Sequence, residues 1–149
     1  MVEATFDAWA AGMIDADGCV FIRRGRQMCG GREACFYQLC VALAQVEETP
    51  NAVAPGVAAL RDRFGGSINR QHPPARQAIN GNPMWRWCVV GASAERALVA
   101  VRPYLIVKRA QADLALEYRR LAMGRGKRHL WAGYHERLQR MKTYNGGVK

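Results

Sequence analysis

The stretch WAAGMIDADGCVF, residues 9–21, decides how the chain folds, because a helical pattern meets a strand-like pattern inside it. Apolar side chains from Phe6 to Ile14 recur at helical spacing. After Gly18 the pattern changes to an apolar run that is typical of a strand. Asp15 and Asp17 therefore lie at the C-terminal end of a helix, where the helix dipole disfavours carboxylates. We expect a cation or a set of donors to compensate them.

Length and charge indicate one folded domain with a polyanionic partner. The chain has 149 residues, enough for a hydrophobic core, and a formal charge of +10. Such a charge favours nucleic acid, although ribosomal and membrane-surface proteins have similar compositions. No apolar stretch approaches the roughly 20 residues of a membrane span, and the N-terminus lacks a signal-peptide pattern. We therefore expect no membrane partner.

The cysteines predict free thiols in a reducing, intracellular compartment, either a bacterial cytoplasm or an organelle interior. Their number is odd, no CxxC pair occurs, and the three histidines share no ligand spacing with them. Most lie in apolar runs typical of strands, and they are Cys19, Cys29, Cys35, Cys40 and Cys88. We expect neither disulfides nor structural zinc.

The rest of the chain alternates hairpins with helices. Strands are predicted over 18–28, 35–47, 67–72 and 84–90, with helices over 55–64, about 92–102, 109–123 and about 128–142. Two hairpins that alternate with helices favour an α+β fold, with helices on one face of an antiparallel sheet. The opposite face is then free to carry polar side chains.

Two segments resemble those of a known family. Residues 10–18, AAGMIDADG, resemble the signature of the LAGLIDADG homing endonucleases, with Ala10 and Met13 in place of two leucines. Residues 103–111, PYLIVKRAQ, are similar to the PxLxxKxxQ pattern of that family. The predicted order αββαββα and a length suited to one motif agree with the same resemblance.

The resemblance covers about residues 4–123 and implies an antiparallel sheet that forms a DNA-binding saddle. We expect one endonuclease domain over 1–149, with residues from about 127 to 149 as an extra C-terminal helix. The family activity is a metal-dependent double-strand break in a long pseudo-palindromic DNA site, leaving short 3′ overhangs. A small domain without protein-splicing segments favours an intron as its source.

Two other classes of function fit part of the sequence. One is a catalytically silent protein on the same fold, either an RNA splicing maturase or a DNA-binding regulator. The other is a generic basic nucleic-acid-binding domain with a chance motif, which the match at 103–111 disfavours. The presence of Asp17 favours the nuclease, because a pure binder has no use for paired carboxylates facing phosphates.

The motif occurs once, which implies a homodimer. Ala8, Gly12 and Ala16 recur every four residues and form a stripe of small side chains that another backbone can approach closely. Two such helices pack together in the family, so a chain with one motif needs a second copy related by a two-fold axis. Alternatively, the small residues pack beneath the sheet of a monomer.

The resemblance makes Asp17 a metal ligand and catalytic residue, with the Ala16 carbonyl and Glu48 as further candidate ligands. Two copies of Asp17 at close range need neutralisation, and hard oxygen ligands suit Mg²⁺ (or Mn²⁺). No small-molecule cofactor is expected. Asp15 points elsewhere on the helix and is interpreted as a structural hydrogen-bond acceptor. Glu48 could instead belong, with Glu47, to a solvated strand end.

Lys108 is the third candidate catalytic residue. It matches the lysine of the family's PxLxxKxxQ pattern, which lies near the active site and organises water or stabilises charge. Alternatively, Lys108 is one of three cations, with Arg102 and Arg109, that neutralise phosphates.

Strand residues suited to hydrogen bonding with bases form the predicted DNA-binding set. The set is Arg23, Arg24, Arg26, Gln27, Arg32, Gln38, Gln45, Asn69, Arg70, Gln71 and Arg86. Arg23 and Gln27 share the parity that faces the groove in the family. Gln38 and Gln45 have opposite parity, so both face DNA only if a bulge intervenes. The two tryptophans of the fourth strand have the parity opposite Arg86 and are assigned to the core.

Overall fold

The computed structural model describes residues 2–72 and 81–146, and within them the predicted α+β fold is confirmed. The elements are α1 (Glu3–Asp17), β1 (Gly18–Cys29), β2 (Arg32–Val46), α2 (Pro55–Phe64), β3 (Ser67–Gln71), β4 (Met84–Val90), α3 (Gly91–Val101), α4 (Arg109–Leu121) and α5 (Arg128–Gly146). A short 3-10 turn, Arg102–Tyr104, joins α3 to the segment before α4. The helix-to-strand change inside the opening stretch therefore occurs at Gly18.

The four strands form one antiparallel sheet in the order β1-β2-β4-β3. The β1–β2 hairpin turns at Gly30 and Gly31, whose φ angles of 58° and 78° are left-handed and favour glycine. Directly opposite residues of an antiparallel pair lie on the same face, so the register separates two faces. One face, which we call the helix face, buries Val20, Ile22, Leu39, Val41, Leu43, Trp87 and Val89.

The helices pack on this face through small side chains. Ala10 and Ala11 of α1, Ala94 and Ala97 of α3, and Ala115 of α4 are fully buried. Small residues allow the helix backbones to lie close to the sheet and to one another. The assignment of the fourth strand's tryptophans to the helix side of the sheet agrees with the register.

The C-terminal helix α5 lies along β1, which is an edge strand. The Nδ1 atom of His135 is 2.6 Å from the Ile22 carbonyl oxygen and must carry the proton, because a carbonyl only accepts. Arg128 donates to the Cys35 carbonyl at 3.2 Å, and Trp131 makes an edge contact with the ring of Tyr37. The helix thus covers an edge that would otherwise offer unpaired backbone groups.

The start of α3 differs by one residue from the sequence prediction. Helix α3 begins at Gly91 with Val90 as its N-cap, and the Ser93 hydroxyl accepts a hydrogen bond from Arg96. The predicted loop between β3 and β4 lies largely in 73–80, outside the described residues. Among the helices that the structure describes, none has the length and apolar character needed to cross a membrane.

Truncating one buried and one exposed side chain of α3 tests which face of this helix packs in the core. Leu98→Ala removes a fully buried side chain and should lower the free energy of unfolding by about 2–5 kcal/mol. Val99→Ala, at the exposed next position, should change it by less than about 0.5 kcal/mol. Urea denaturation followed by circular dichroism checks both values, and equal losses would contradict this packing.

Candidate active site and nucleic-acid interface

Asp17 and Glu48 border the same cleft. Asp17 is the last residue of α1, Glu48 follows β2, and both line a cleft of about 510 Å³ together with Gln45, Trp9 and Met13. Both carboxylates are exposed. Within residues 2–72 and 81–146, neither makes a hydrogen bond or an ion pair. The cleft therefore contains two negative charges that the described protein does not neutralise.

These groups fit a hard divalent cation, provided that further ligands come from outside the chain. Carboxylate oxygens, with the carbonyl of the exposed Ala16 as a candidate, match the preference of Mg²⁺ for oxygen. In the part of the chain that the structure describes, no three His, Cys, Asp or Glu side chains converge into a metal cluster. Mg²⁺ typically uses only one or two carboxylates, together with water and phosphate oxygens.

Asp15 has a different role from Asp17, two residues away. Its Oδ2 accepts the backbone N–H groups of Ile106 at 2.7 Å and Val107 at 3.2 Å, and its Oδ1 accepts that of Lys108 at 2.9 Å. Partial burial raises the pKa of Asp15, but these three hydrogen bonds and the Lys108 charge outweigh it and lower the pKa overall. The interpretation of Asp15 as a structural acceptor is confirmed.

Lys108 lies against the end of the motif helix. Its Nζ donates to the Asp15 carbonyl oxygen, so its charge lies at the negative end of α1. Arg102 is instead paired with Asp113 at 2.7 Å, and Arg109 donates to the Leu105 carbonyl at 2.8 Å. Of these three cations, Lys108 is therefore the one held at the helix end.

Lys108 and Asp17 border different clefts of one chain. Lys108 lines a second cleft with Ala16, Gln111 and Lys142, whereas Asp17 lines the cleft with Glu48. Lys108 approaches the motif helix through the backbone of Asp15, and the structure shows no contact between its ammonium group and the Asp17 carboxylate. The three predicted catalytic residues thus lie around the end of α1, with Asp17 and Glu48 at one cleft and Lys108 at the other.

Glu47 is buried and paired, so the interpretation of both glutamates as a solvated strand end is wrong for this residue. Its carboxylate accepts two hydrogen bonds from Arg70, at 2.7 and 2.8 Å, and one from the Asn51 N–H at 2.9 Å. Arg70 is the main reason why the pKa of Glu47 is lowered. Glu48, the exposed neighbour, remains the carboxylate that faces the cleft.

The second face of the sheet, which we call the open face, carries part of the predicted DNA-binding set. By register it holds Arg23, Gln27, Arg32, Gln38, Asn69, Gln71 and Arg86. Arg23 donates to the Gln38 side chain at 2.8 Å across β1 and β2. Arg86 lies directly opposite Asn69 across β4 and β3. Two pairs of polar side chains therefore project from neighbouring strands on the same side.

The remaining members of the predicted set have the parity of the helix face. Gln45 lies opposite Trp85 on the helix face, because the register runs from Gln38 to Gln45 without a bulge. Arg70, by its pairing with Glu47, belongs to the same face. Arg24 and Arg26 share that parity, but they are exposed near the hairpin end. The structure thus does not bring these four residues together with the open-face set.

The open face carries no carboxylate in the strands that the structure describes. Glu33 is the only acidic residue in β1 to β4. It lies opposite Met28, and both have the parity of the helix face. A surface with arginines and amides but no negative side chain suits a polyanion. This segregation could be predicted only once the register was known.

No protein-family model and no curated protein sequence matches the chain. Solved structures do match. The homing endonuclease I-CvuI bound to the I-CreI target with 2 mM Mg, described as having uncleaved DNA, superposes with a TM-score of 0.73 and 21% identity, covering 99% of this chain and 87% of that one.

Two further structures show the same fold. I-CvuI bound to its own target Sro1.3 with 2 mM Ca matches with a TM-score of 0.72 at 21% identity, over 99% of this chain and 86% of that one. The LAGLIDADG homing endonuclease I-GzeII, bound to its DNA target, matches with a TM-score of 0.56 at 12% identity, over 92% of this chain but 43% of that one. The chain therefore has the fold of LAGLIDADG homing endonucleases.

Gln45 borders the carboxylate cleft, a position that the sequence analysis did not predict. Its Oε1 is buried without a hydrogen-bond partner among the described residues, and it lines the cleft with Asp17 and Glu48. The alternation counted from Gln38 was the signal for this position, because the bulge that would bring both residues to one face is absent between them.

Asp15→Asn should destabilise the chain in a pH-dependent manner. The amide of asparagine cannot accept all three N–H groups, so we expect a loss of about 1–3 kcal/mol in the free energy of unfolding near neutral pH. Because the folded-state pKa is lowered, the stabilisation by Asp15 is present above its unfolded pKa and is lost as the pH falls through the folded value. Denaturation of both proteins from about pH 7 to 3 should show the difference shrinking below about pH 4.

Asp17→Asn is the matched control for this experiment. It changes the same residue type at an exposed position that makes no hydrogen bond within the described residues. It should not lower the stability across the same pH range, because the helix dipole disfavours a carboxylate at this position. A loss for Asp17→Asn equal to that for Asp15→Asn would contradict the assigned division of roles.

Proposed function

We propose that the chain is a site-specific homing endonuclease that acts as a homodimer and uses Mg²⁺ or Mn²⁺ to make a double-strand break in DNA. The observation that carries the proposal is the pair of unneutralised carboxylates, Asp17 and Glu48, at the end of the motif helix. Carboxylates without a protein partner, on a basic chain whose fold is that of DNA-bound endonucleases, need a cation at the phosphates.

The open face supports double-stranded DNA as the substrate. Arginine and amide side chains are those that form bidentate hydrogen bonds with guanine and adenine in the major groove. Arg23, Gln38, Asn69 and Arg86 project together from four strands of a twisted sheet, which can follow a groove. Gln27, Arg32 and Gln71 extend the same face.

At the helix end, each residue of the proposed active site has a distinct task. Asp17, the Ala16 carbonyl and Glu48 would hold the cation, which when bound activates water and stabilises developing charge at a phosphate. Lys108 places its charge at the Asp15 carbonyl. Its ammonium group therefore offsets the partial negative charge at the end of the motif helix, which would otherwise repel the phosphates of the substrate. Asp15 fixes the backbone that carries Lys108.

A stripe of small residues supports the homodimer. Gly12 and Ala16 are exposed and Ala8 is half-buried on one side of α1. A Cβ atom added at Gly12 would meet nothing within 4 Å, so space for another backbone is available there. A second copy packed along this stripe would bring a second Asp17 to the same end of the helix pair and produce a two-fold symmetric enzyme.

Further features of the proposal follow from the resemblance. We infer a long pseudo-palindromic site, short 3′ overhangs, an intron-encoded source and an intracellular, reducing location. The domain would span residues 1–149, with α5 as an addition that supports the edge of the DNA-binding sheet.

Loss of the Asp17 carboxylate should abolish cleavage but preserve DNA binding. The protein is used to select duplexes from a library with a long randomised segment, and the enriched duplexes are then tested for cleavage with Mg²⁺ or with EDTA. Wild type should cut only with the metal. Asp17→Asn should lose more than about a hundredfold in rate, the upper cost of losing a residue that merely supports a metal ligand.

The binding measurement separates the two functional classes. Asp17→Asn should retain or exceed the wild-type affinity, because it removes a negative charge beside phosphates. Selected duplexes that wild type binds tightly but never cuts with Mg²⁺ or Mn²⁺ would overturn the nuclease proposal and favour a catalytically silent binder.

A charged side chain at Gly12 should prevent dimer formation without harming the fold. Gly12→Glu has open space in the single chain and replaces a residue that costs about 0.8–1 kcal/mol in a helix interior. We expect sedimentation equilibrium to give a dimer for wild type and a monomer for Gly12→Glu, with thermal stability of the monomer retained. Ala92→Glu, exposed at the start of α3, is the control and should remain dimeric. A monomeric wild type would refute the dimer.

A further inference from the structure

Two cysteine thiols meet on the open face and take no part in the functions described above. Cys40 lies opposite Val90, and Cys88 lies opposite Ala42, so the two cysteines are diagonal neighbours on adjacent strands β2 and β4. Each thiol influences the protonation of the other, so the two side chains lie close together across the strands. Cys40 is buried, whereas Cys88 is half-buried.

The two thiols differ in pKa because Cys40 can act as a hydrogen-bond donor to Cys88. The Cys40 sulfur is also 3.4 Å from the Gln38 carbonyl oxygen, so its single proton has two possible acceptors. A deprotonated Cys88 sulfur would be a stronger acceptor than this carbonyl, and Cys40 would then donate to it. The hydrogen bond from Cys40 is the largest influence on the pKa of Cys88, which is lowered to about 6 although burial opposes the shift.

The charged groups around Cys88 act in the same direction. Arg86 on the same strand and Arg23 on β1 both lower the pKa of Cys88. Ser67, opposite Cys88 on β3, is uncharged, and the open face carries no carboxylate in the described strands. For Cys40, the hydrogen bond to Cys88 and burial raise the pKa well above its usual range. These influences favour a thiolate at Cys88 beside a protonated Cys40.

The geometry disfavours the two common structural uses of paired cysteines. Diagonal partners on adjacent strands have Cα atoms about 7–8 Å apart, beyond the range of an unstrained disulfide. No third His, Cys, Asp or Glu joins the pair into a metal cluster among the described residues. A half-buried thiol whose pKa is lowered by two arginines and a neighbouring thiol is instead typical of a reactive cysteine.

We propose that Cys88 is a covalent modification site at which peroxides and other soft electrophiles react on the open face, with Cys40 as the residue that positions and activates its sulfur. With hydrogen peroxide, the Cys88 sulfur attacks one oxygen and the O–O bond breaks. The sulfur is oxidised to a sulfenic acid, the peroxide is reduced, and the leaving hydroxide takes a proton from solvent to form water.

Modification would act on DNA binding, an effect that rests on the proposed function. Cys88 lies two residues from Arg86 on the same face, so an adduct there would occupy space beside a proposed base-reading pair. Loss of one such contact corresponds to about a tenfold loss in affinity. The thiol chemistry itself can be measured on the protein alone, without DNA.

The first experiment compares the alkylation rate of Cys88 in the intact protein with that of the thiol in a short unstructured peptide. Iodoacetamide labelling at about pH 6, read by mass spectrometry of peptides, should modify Cys88 about tenfold faster than the peptide thiol, because an ordinary thiol is almost fully protonated there. The rate for Cys88 should level off above about pH 7, whereas that for the peptide thiol should keep rising. Equal rates, or an ordinary pH profile for Cys88, would overturn the proposal.

Matched variants of Cys40 test its role as a positioning residue. Cys40→Ala removes the donor and should move the pH midpoint of Cys88 labelling upward, slowing the reaction several-fold at about pH 6. Cys40→Ser keeps a hydroxyl donor and should restore a low midpoint. Equal midpoints in the two variants would refute activation by Cys40, and circular dichroism confirms that both remain folded.

The second experiment measures affinity for a mixed-sequence duplex DNA before and after treatment with hydrogen peroxide or iodoacetamide. Treated wild type should bind about tenfold more weakly, and treated Cys88→Ser should bind like its untreated form. Rapid labelling of Cys88 with no change in affinity would overturn its placement on the DNA-contacting surface. If untreated protein binds no DNA, the proposed function fails, while the labelling rates still decide the chemistry of Cys88.

Discussion

The carboxylate of Asp15 links the end of the motif helix α1 to the segment that leads into α4, and the candidate site depends on this link. It accepts three consecutive N–H groups, those of Ile106, Val107 and Lys108, at the point where α4 begins. The C-terminal end of α1, which carries a partial negative charge, thus lies against the N-terminal end of α4, which carries a partial positive charge. The carboxylate at the end of α1 accepts the free N–H groups before α4, and Lys108 donates to the end of α1. This contact links positions more than 90 residues apart and fixes the end of the motif helix, where Asp17 is located.

The sheet register imposes the second constraint, since it assigns every charged strand residue to one face. Glu47 lies on the helix side, where Arg70 and the Asn51 N–H bind it, so the carboxylate is satisfied within the protein. Arg23 and Arg86 lie on the open face, where the described strands provide no acid to pair with them. Paired charges therefore stabilise the fold on one side, and unpaired charges remain for a ligand on the other.

The sequence predicted the elements well because each has a strong local signal. Gly30 and Gly31 mark the hairpin turn, and the alternation around Ile22 and Val41 marks the buried strands. It could not predict the roles of charged side chains that depend on distant partners. Glu47 and Glu48 are adjacent and chemically identical, and the ion pair with Arg70, 23 residues away, is what most distinguishes the buried Glu47 from the free Glu48 carboxylate.

The unpaired carboxylates of Asp17 and Glu48 are informative about function because this basic chain has many cations that could pair with them. Twenty-two lysines and arginines are available, yet among the described residues none pairs with Asp17 or Glu48. Lys108 is close to the helix end, but its ammonium group binds the Asp15 carbonyl instead. A carboxylate at a helix C-terminus is disfavoured. Its position there without a protein cation supports the proposed ligand, and the oxygen donors of the cleft shared with Glu48 suit a hard cation.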